Sequence, residues 1–257
     1  MDLKLANRKA IVTGGSAGIG LAIVKSLLAE GVSVVVPGRS KAKLDQAIPD
    51  GTNVQKVVAD LATAEGADAL IREVPDADIL INNLGIYEAK PFAEISDGDW
   101  LQMFETNVLS GVRLSRHYFP RMLARNWGRV IFISSESAVM TPAEMIHYGV
   151  SKSSQLAVSR GLAELTKGTA VTVNSVLPGP TRSEGIVDFI KKAVSPGTSA
   201  TEAESEFFAR HRSSSLLQRL IEGDEIASLV TYLASPLSAA TNGAALRAEG
   251  GLLRSIA

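Results

Sequence analysis

Residues Lys9–Gly31 read KAIVTGGSAGIGLAIVKSLLAEG: a short β-branched run passes through a glycine-rich turn straight into an amphipathic helical pattern. The spacing predicts a buried strand over Lys9–Thr13 and a helix over Ile19–Glu30 that Gly31 ends. Gly14, Gly18 and Gly20 are spaced GxxxGxG rather than GxGxxG. Glycines here permit a tight turn and a close approach of backbone to a phosphate. The helix start adds unpaired N–H groups and the positive end of a dipole. Gly14, Ser16, Gly18, Ile19 and Gly20 are therefore candidates to hold a dinucleotide pyrophosphate. An ordinary βα turn could carry the same glycines, and the strand–turn–helix context is what favours the ligand site.

Outward from this unit the rhythm repeats. Strand patterns cover Val32–Val36, Val54–Ala59 and Ile79–Ile81, separated by helical patterns at Lys41–Ile48 and Ala64–Val74. The second half predicts one long helical stretch over Asp97–Leu123, a strand at Arg129–Ser134, a helix at Tyr148–Leu165 and a strand at Ala170–Val176. Pro178-Gly179-Pro180 breaks the regular structure. A charged helical run (Glu202–Arg212), a helix (Asp224–Leu233) and a strand (Ala244–Ala248) follow. Near-continuous apolar strands between helices predict a three-layer, doubly wound parallel sheet of Rossmann type with right-handed crossovers. No repeat or linker interrupts it, so residues 1–257 are expected to form a single domain.

Composition narrows the function. The 257 residues carry a formal net charge of −1, which gives no electrostatic case for nucleic acid. Cysteine is absent and histidine is limited to His117, His147 and His211, which removes thiolate chemistry and any metal-ligand spacing. No apolar run approaches a membrane span or a signal sequence, so no membrane partner and a cytoplasmic location are expected.

About 20 residues past the glycines, a dinucleotide site usually places a carboxylate on the adenosine ribose. Pro37-Gly38-Arg39-Ser40 stands there instead. Arg39 would pair with a 2′-phosphate through charge-assisted bonds, which favours NADP and leaves NAD possible. The competing reading is a solvated Arg39 stacked on adenine.

Tyr148 and Lys152 lie four residues apart, on one face of a helix. A tyrosine near pKa ~10 is too weakly acidic to act as a base at neutral pH. A fixed ammonium one turn away and an oxidised nicotinamide would both favour the phenolate. Ser134-Ser135 ends a strand 13 residues upstream of Tyr148, where an open parallel sheet presents ligands.

With the glycine turn and this Ser–Tyr–Lys set, the chain resembles the short-chain dehydrogenase/reductase family from Thr13 to Gly251. Asp60-Leu61 resembles its adenine-contacting pair, and Asn82-Asn83-Leu84-Gly85 its NNAG motif, with Leu84 where alanine is usual. Asn107 matches the asparagine of its tetrad, and Pro178-Gly179-Pro180-Thr181 its PG motif, whose threonine contacts the carboxamide. The resemblance implies Tyr148 as acid/base, Lys152 on the nicotinamide ribose, and Ser135 on the substrate oxygen. It implies that Asn107 holds a water linking Lys152 to solvent. Asn83, Gly85, Pro178 and Thr181 join the cofactor set. Glu249, where aspartate is commoner, is expected to matter little. The resemblance also implies a homotetramer built through the helices at 97–123 and 148–165.

The implied activity is hydride transfer between a nicotinamide and a small-molecule carbonyl or alcohol. A catalytically silent NAD(P) sensor and a lyase or epimerase using the same pocket are the alternatives. Residues 182–216 correspond to a mobile substrate loop or lid. Its charges Glu202, Glu204, Glu206, Arg210 and Arg212 are expected to form a solvated helix face. Glu136, Glu144, Met145 and His147 could line the pocket, although His147 points about 100° away from Tyr148 around the helix. Trp100 and Trp127 are expected to fill core or interface space.

Overall fold

The structure is a computed structural model describing residues 1–49, 51, 53–183, 185–187, 190 and 199–256. Strands β1 (Lys9–Val12), β2 (Ser33–Gly38), β3 (Val54–Val58), β4 (Ile79–Asn82), β5 (Gly128–Ile133), β6 (Val171–Pro178) and β7 (Ala245–Ala248) form one sheet. Their order is β3-β2-β1-β4-β5-β6-β7, and every pairing is parallel. The helices are α1 (Gly18–Ala29), α2 (Lys41–Ala47), α3 (Ala64–Glu73), α4 (Asp97–Phe104), α5 (Ser110–Ala124), α6 (Ile146–Glu164), α7 (Ala200–His211) and α8 (Gly223–Ala234). The expected doubly wound, three-layer Rossmann-type architecture is the one observed.

Side chains of a strand alternate between faces, and each face of this sheet has its own helical cover. Ala10, Val12, Val34, Val36, Ile79 and Ile81 pack with Ile23 and Leu27 of α1 and with Ile226 and Val230 of α8. Ile11, Val35, Leu80, Val130 and Phe132 point the other way, onto Leu70 of α3 and Leu114, Tyr118 and Met122 of α5. Each fully buried aliphatic side chain contributes ~1.5–3 kcal/mol, so two covered faces explain the unbroken apolar strands.

Three boundaries differ from the sequence pattern. β2 runs on through Pro37 and Gly38 because Val57 and Val58 of β3 supply partners. β6 likewise continues to Pro178, paired with Ala248. The stretch expected as one helix over Asp97–Leu123 is broken by a π-helical turn at Glu105–Leu109, between α4 and α5. A π-helical turn of this length is invisible to apolar periodicity, and such turns concentrate at functional sites.

Within 182–216, the helical run expected at Glu202–Arg212 is present as α7. In α7, Ala203, Phe207 and Phe208 close a small core with Ile190 and Leu220. Arg182 anchors the segment by pairing with Glu204 and Glu222. Ser195-Pro196-Gly197 lies outside the described residues. Trp127 packs against the first core, with the Arg8 guanidinium 3.7 Å and that of Arg129 4.8 Å from its ring centroid. Among the described residues, no helix is long and apolar enough to cross a membrane, and no three His, Asp or Glu side chains are placed to hold a metal.

Candidate active site

The strand order reverses between β1 and β4, so their carboxyl ends splay apart and open a crevice there. The glycine turn follows β1 into that crevice, and Asn83–Gly85 follows β4. Gly14 holds φ +64°, which disfavours a side chain. A Cβ on Gly20 would lie 2.3 Å from the Gly14 carbonyl oxygen and 2.5 Å from Asn83 Nδ2. Asn83 is what locks the turn: its Nδ2 donates to Thr13 O at 2.9 Å and to Gly14 O at 3.3 Å. Thr13 Oγ1 in return accepts from the backbone N–H of Asn83 and of Leu84, at 2.9 and 2.8 Å. Leu84 does not disturb this lattice, because its side chain packs on the second core.

A cavity of about 1190 Å³ runs along these ends. Of the site residues expected from the sequence, Gly14, Ser16, Gly18, Ile19, Gly20, Arg39, Asn83, Gly85, Ser135, Tyr148, Lys152, Pro178 and Thr181 line it. Asp60 and Leu61 are not among its lining residues. Asp60 instead accepts from the Ala62 N–H at the end of β3. Arg39 is exposed on the rim beside Ser40 and Lys43, and no carboxylate is among the residues lining the cavity next to it. The side-chain-free cradle at Gly14 and Gly20 and the cationic rim fit a dinucleotide.

Gly20→Ala tests that fit. The displaced turn should weaken NADPH binding by about 10–100-fold, corresponding to ~1–3 kcal/mol of overpacking. Fluorescence titration reads it, and an unchanged affinity would place the cofactor elsewhere.

The reacting end is built by β5, α6 and the π-turn. Ser135 follows β5, is buried, and donates from Oγ to Glu136 Oε2 at 2.5 Å. Tyr148 and Lys152 lie one turn apart on α6. Lys152 Nζ donates to Ile133 O at 2.9 Å and to Gln155 Oε1 at 3.3 Å, and lies 5.7 Å from the Tyr148 ring centroid. Burial lowers the lysine to about 8, opposed by the Glu136 carboxylate. The Tyr148 phenol is pushed well above its ordinary value, by burial first and then by Glu136, while the Ser135 hydroxyl pulls it down. The sequence expectation has the ammonium and an oxidised nicotinamide both favouring the phenolate; in the protein alone the ammonium does not bring the phenol below its ordinary value. Lys152 points at the β5 backbone, its Nζ donating to Ile133 O.

Asn107 sits in the π-turn and clasps the loop after β4. Its Oδ1 accepts from Ile86 N at 2.8 Å, and its Nδ2 donates to Ile86 O and Ser151 Oγ, each at 2.9 Å. Its backbone carbonyl accepts from Gln155 Nε2 at 2.5 Å. The Gln155 carboxamide thus spans Asn107 O and Lys152 Nζ, the gap that the family resemblance assigns to a water.

Gln155, Lys43 and Arg212 are the residues that sequence reasoning missed. Gln155 could have been found as a buried-face polar residue three positions after Lys152, and Lys43 as a second cation after Arg39. Arg212 contradicts the solvated-face expectation: its side chain is only 10% exposed, because α7 ends there and turns it into the cavity. Glu202 and Arg210 do face solvent. Of the flanking candidates, Glu136 and Met145 line the cavity while Glu144 and His147 do not. His147 is buried edge-on against Trp100, at 6.0 Å between ring centroids. Glu249 proves structural: buried, it pairs with Arg247 and accepts from the backbone N–H of Leu252 and Leu253.

Comparison with known proteins agrees with this geometry. A family model described as short chain dehydrogenase matches residues 8–193. The chain is 48% identical to an uncharacterized oxidoreductase, YvaG, of Bacillus subtilis (strain 168), with both chains covered in full. It is 31% identical to the 3-oxoacyl-[acyl-carrier-protein] reductase FabG of Vibrio cholerae, over 97% of this chain and 99% of that one. Among solved structures, L-sorbose reductase from Gluconobacter frateurii complexed with NADPH and L-sorbose superposes with a TM-score of 0.93, at 28% identity and full coverage of both chains.

Proposed function

The chain belongs to the short-chain dehydrogenase family and is an NAD(P)-dependent oxidoreductase acting on a carbonyl or alcohol group; on that premise we propose an NADP(H)-preferring reductase of small ketones with Tyr148 as acid/base. The carrying observation is that Ser135, Tyr148 and Lys152 line the same cavity as the glycine turn. Bound nicotinamide supplies the hydride chemistry. Gly14, Ser16, Gly18, Ile19 and Gly20 hold the pyrophosphate, Asn83, Gly85, Pro178 and Thr181 the nicotinamide half, and Asp60 and Leu61 the edge of the adenine pocket. Tyr148 donates its phenolic proton to the substrate oxygen in reduction and takes it back in oxidation. Ser135 orients that oxygen. Lys152 binds the ribose, and Asn107 with Gln155 keeps its ammonium in place.

Residues 182–216 act as the lid, since Phe207 and Arg212 already reach the cavity wall. Exposed Leu101, Phe104 and Val150 on α4 and α6 support assembly into a homotetramer.

NADPH and NADH absorbance followed with a ketone panel tests the reductase reading. No turnover despite cofactor binding would leave a sensor. Cofactor preference rests on Arg39. Arg39→Ala should raise the NADPH dissociation constant about 10–100-fold, the loss of one or two charge-assisted hydrogen bonds, and leave NADH nearly unchanged. Tighter binding of NADH than NADPH by the wild type would refute the preference.

A further inference from the structure

The cavity holds two charged side chains that hydride transfer does not use. Glu136 is 5% exposed and Arg212 9%, and both line the wall beside Ser135. Their closest approach, Arg212 Nε to Glu136 Oε1, is 3.9 Å, too long for a hydrogen bond. Nε has no hydrogen-bond partner among the described residues. The guanidinium is steered rather than saturated. Its Nη1 donates to His211 O at 2.7 Å and lies 3.6 Å from Glu144 Oε1, and its Cζ is 5.6 Å from the Phe207 ring centroid. Glu136 is fixed by Ser135 and Ser137. A buried donor left unbonded is costly unless something completes it.

We propose that Glu136 and Arg212 form a substrate subsite that selects neutral hydroxylated ketones, taking a hydroxyl group close to the reacting carbonyl. This rests on the reductase reading above and names its substrate class.

A hydroxyl is at once donor and acceptor. With its oxygen ~2.7–3.0 Å from each group, it spans a gap of this size, donating to Glu136 and accepting from Arg212 Nε. Because Glu136 Oε2 also accepts from Ser135 Oγ, that hydroxyl falls on a carbon near the one whose oxygen meets Ser135 and Tyr148. The alternatives fit less well. A substrate carboxylate would meet the Glu136 side chain and a guanidinium whose Nη1 already lies 3.6 Å from Glu144 Oε1. A hydrocarbon chain would leave Nε unbonded and Glu136 desolvated.

The test is kcat/KM with NADPH for matched ketones: hydroxyacetone against 2-butanone, 1,3-dihydroxyacetone against 3-pentanone, a ketotetrose and a ketohexose, with pyruvate as the anion. The wild type should favour the hydroxylated member of a pair by ~100-fold or more, since a site built for a hydroxyl rejects the analogue lacking it. Arg212→Met and Glu136→Gln, each checked for folding by circular dichroism, should shrink that ratio at least ~10-fold; the wild-type ratio decides alone if a variant does not fold. Equal rates for hydroxylated and plain ketones, a preference for pyruvate, or an unchanged ratio in both folded variants overturns the subsite while the reductase reading stands. Reduction of no ketone at all, with NADPH bound, overturns both.

Discussion

Replacing Tyr148 with phenylalanine should lower kcat/KM for ketone reduction by ~10³-fold while NADPH affinity changes less than about twofold. The substitution removes one oxygen and keeps the ring that packs edge-on against Tyr87, at 6.2 Å between centroids. No neighbour can take over. The Ser135 hydroxyl proton is already given to Glu136, and the Lys152 ammonium is turned to Ile133 O and Gln155 Oε1. The pH profile carries a second signature. Burial and Glu136 hold the phenol above its ordinary value, so it stays protonated, as a proton donor must, through the neutral range. As pH rises, Lys152 releases its proton at about 8. Reduction by the wild type should therefore decline above about pH 8. A Tyr148→Phe variant retaining more than a tenth of wild-type activity would remove Tyr148 from the chemistry.

How much of this could be read from the sequence depended on how local each signal was. The glycine turn, the alternating strands and the Tyr148–Lys152 pair are short-range patterns, and each is found where its spacing put it. What escaped was set by tertiary packing. The π-turn at Glu105–Leu109 carries the Asn107 carbonyl that accepts from Gln155, and neither apolar period nor composition registers it. Arg212 looked like the end of a charged solvent face. It is buried because α7 has its own small core of Phe207 and Phe208, which fixes where the helix stops and where the next side chain points. The pairing of Tyr148 with Lys152 was legible as a spacing but not as a field. That the ammonium faces the β5 backbone follows from how α6 docks on the sheet, which no i, i+4 rule contains.

Lys152→Met should abolish most activity, by ~10²-fold or more, and yet make the protein more stable at pH 7. The lysine is buried, and its folded value of about 8 lies below the ordinary 10.5 that the unfolded chain retains. Between these two pH values the unfolded chain holds a proton that the folded chain has released, so wild-type stability rises with pH across that window. Below it, keeping the charge inside costs roughly 3 kcal/mol, a cost that methionine lacks. Against this, Ile133 O and Gln155 Oε1 lose their donor, at ~1 kcal/mol each. The net gain is about 1 kcal/mol at pH 7, shrinking as pH rises past 8 and changing sign near pH ~9, above which the wild type keeps a neutral, hydrogen-bonded amine. Urea unfolding of both proteins at pH 7 and pH 10.5 reads the difference directly. A variant less stable than wild type at pH 7, or a gap that does not close with pH, would show that the charge is well solvated in the folded state. The converse result would mean that this ammonium is held in the interior against its own solvation, and that only the chemistry at Tyr148 gives a reason to keep it there.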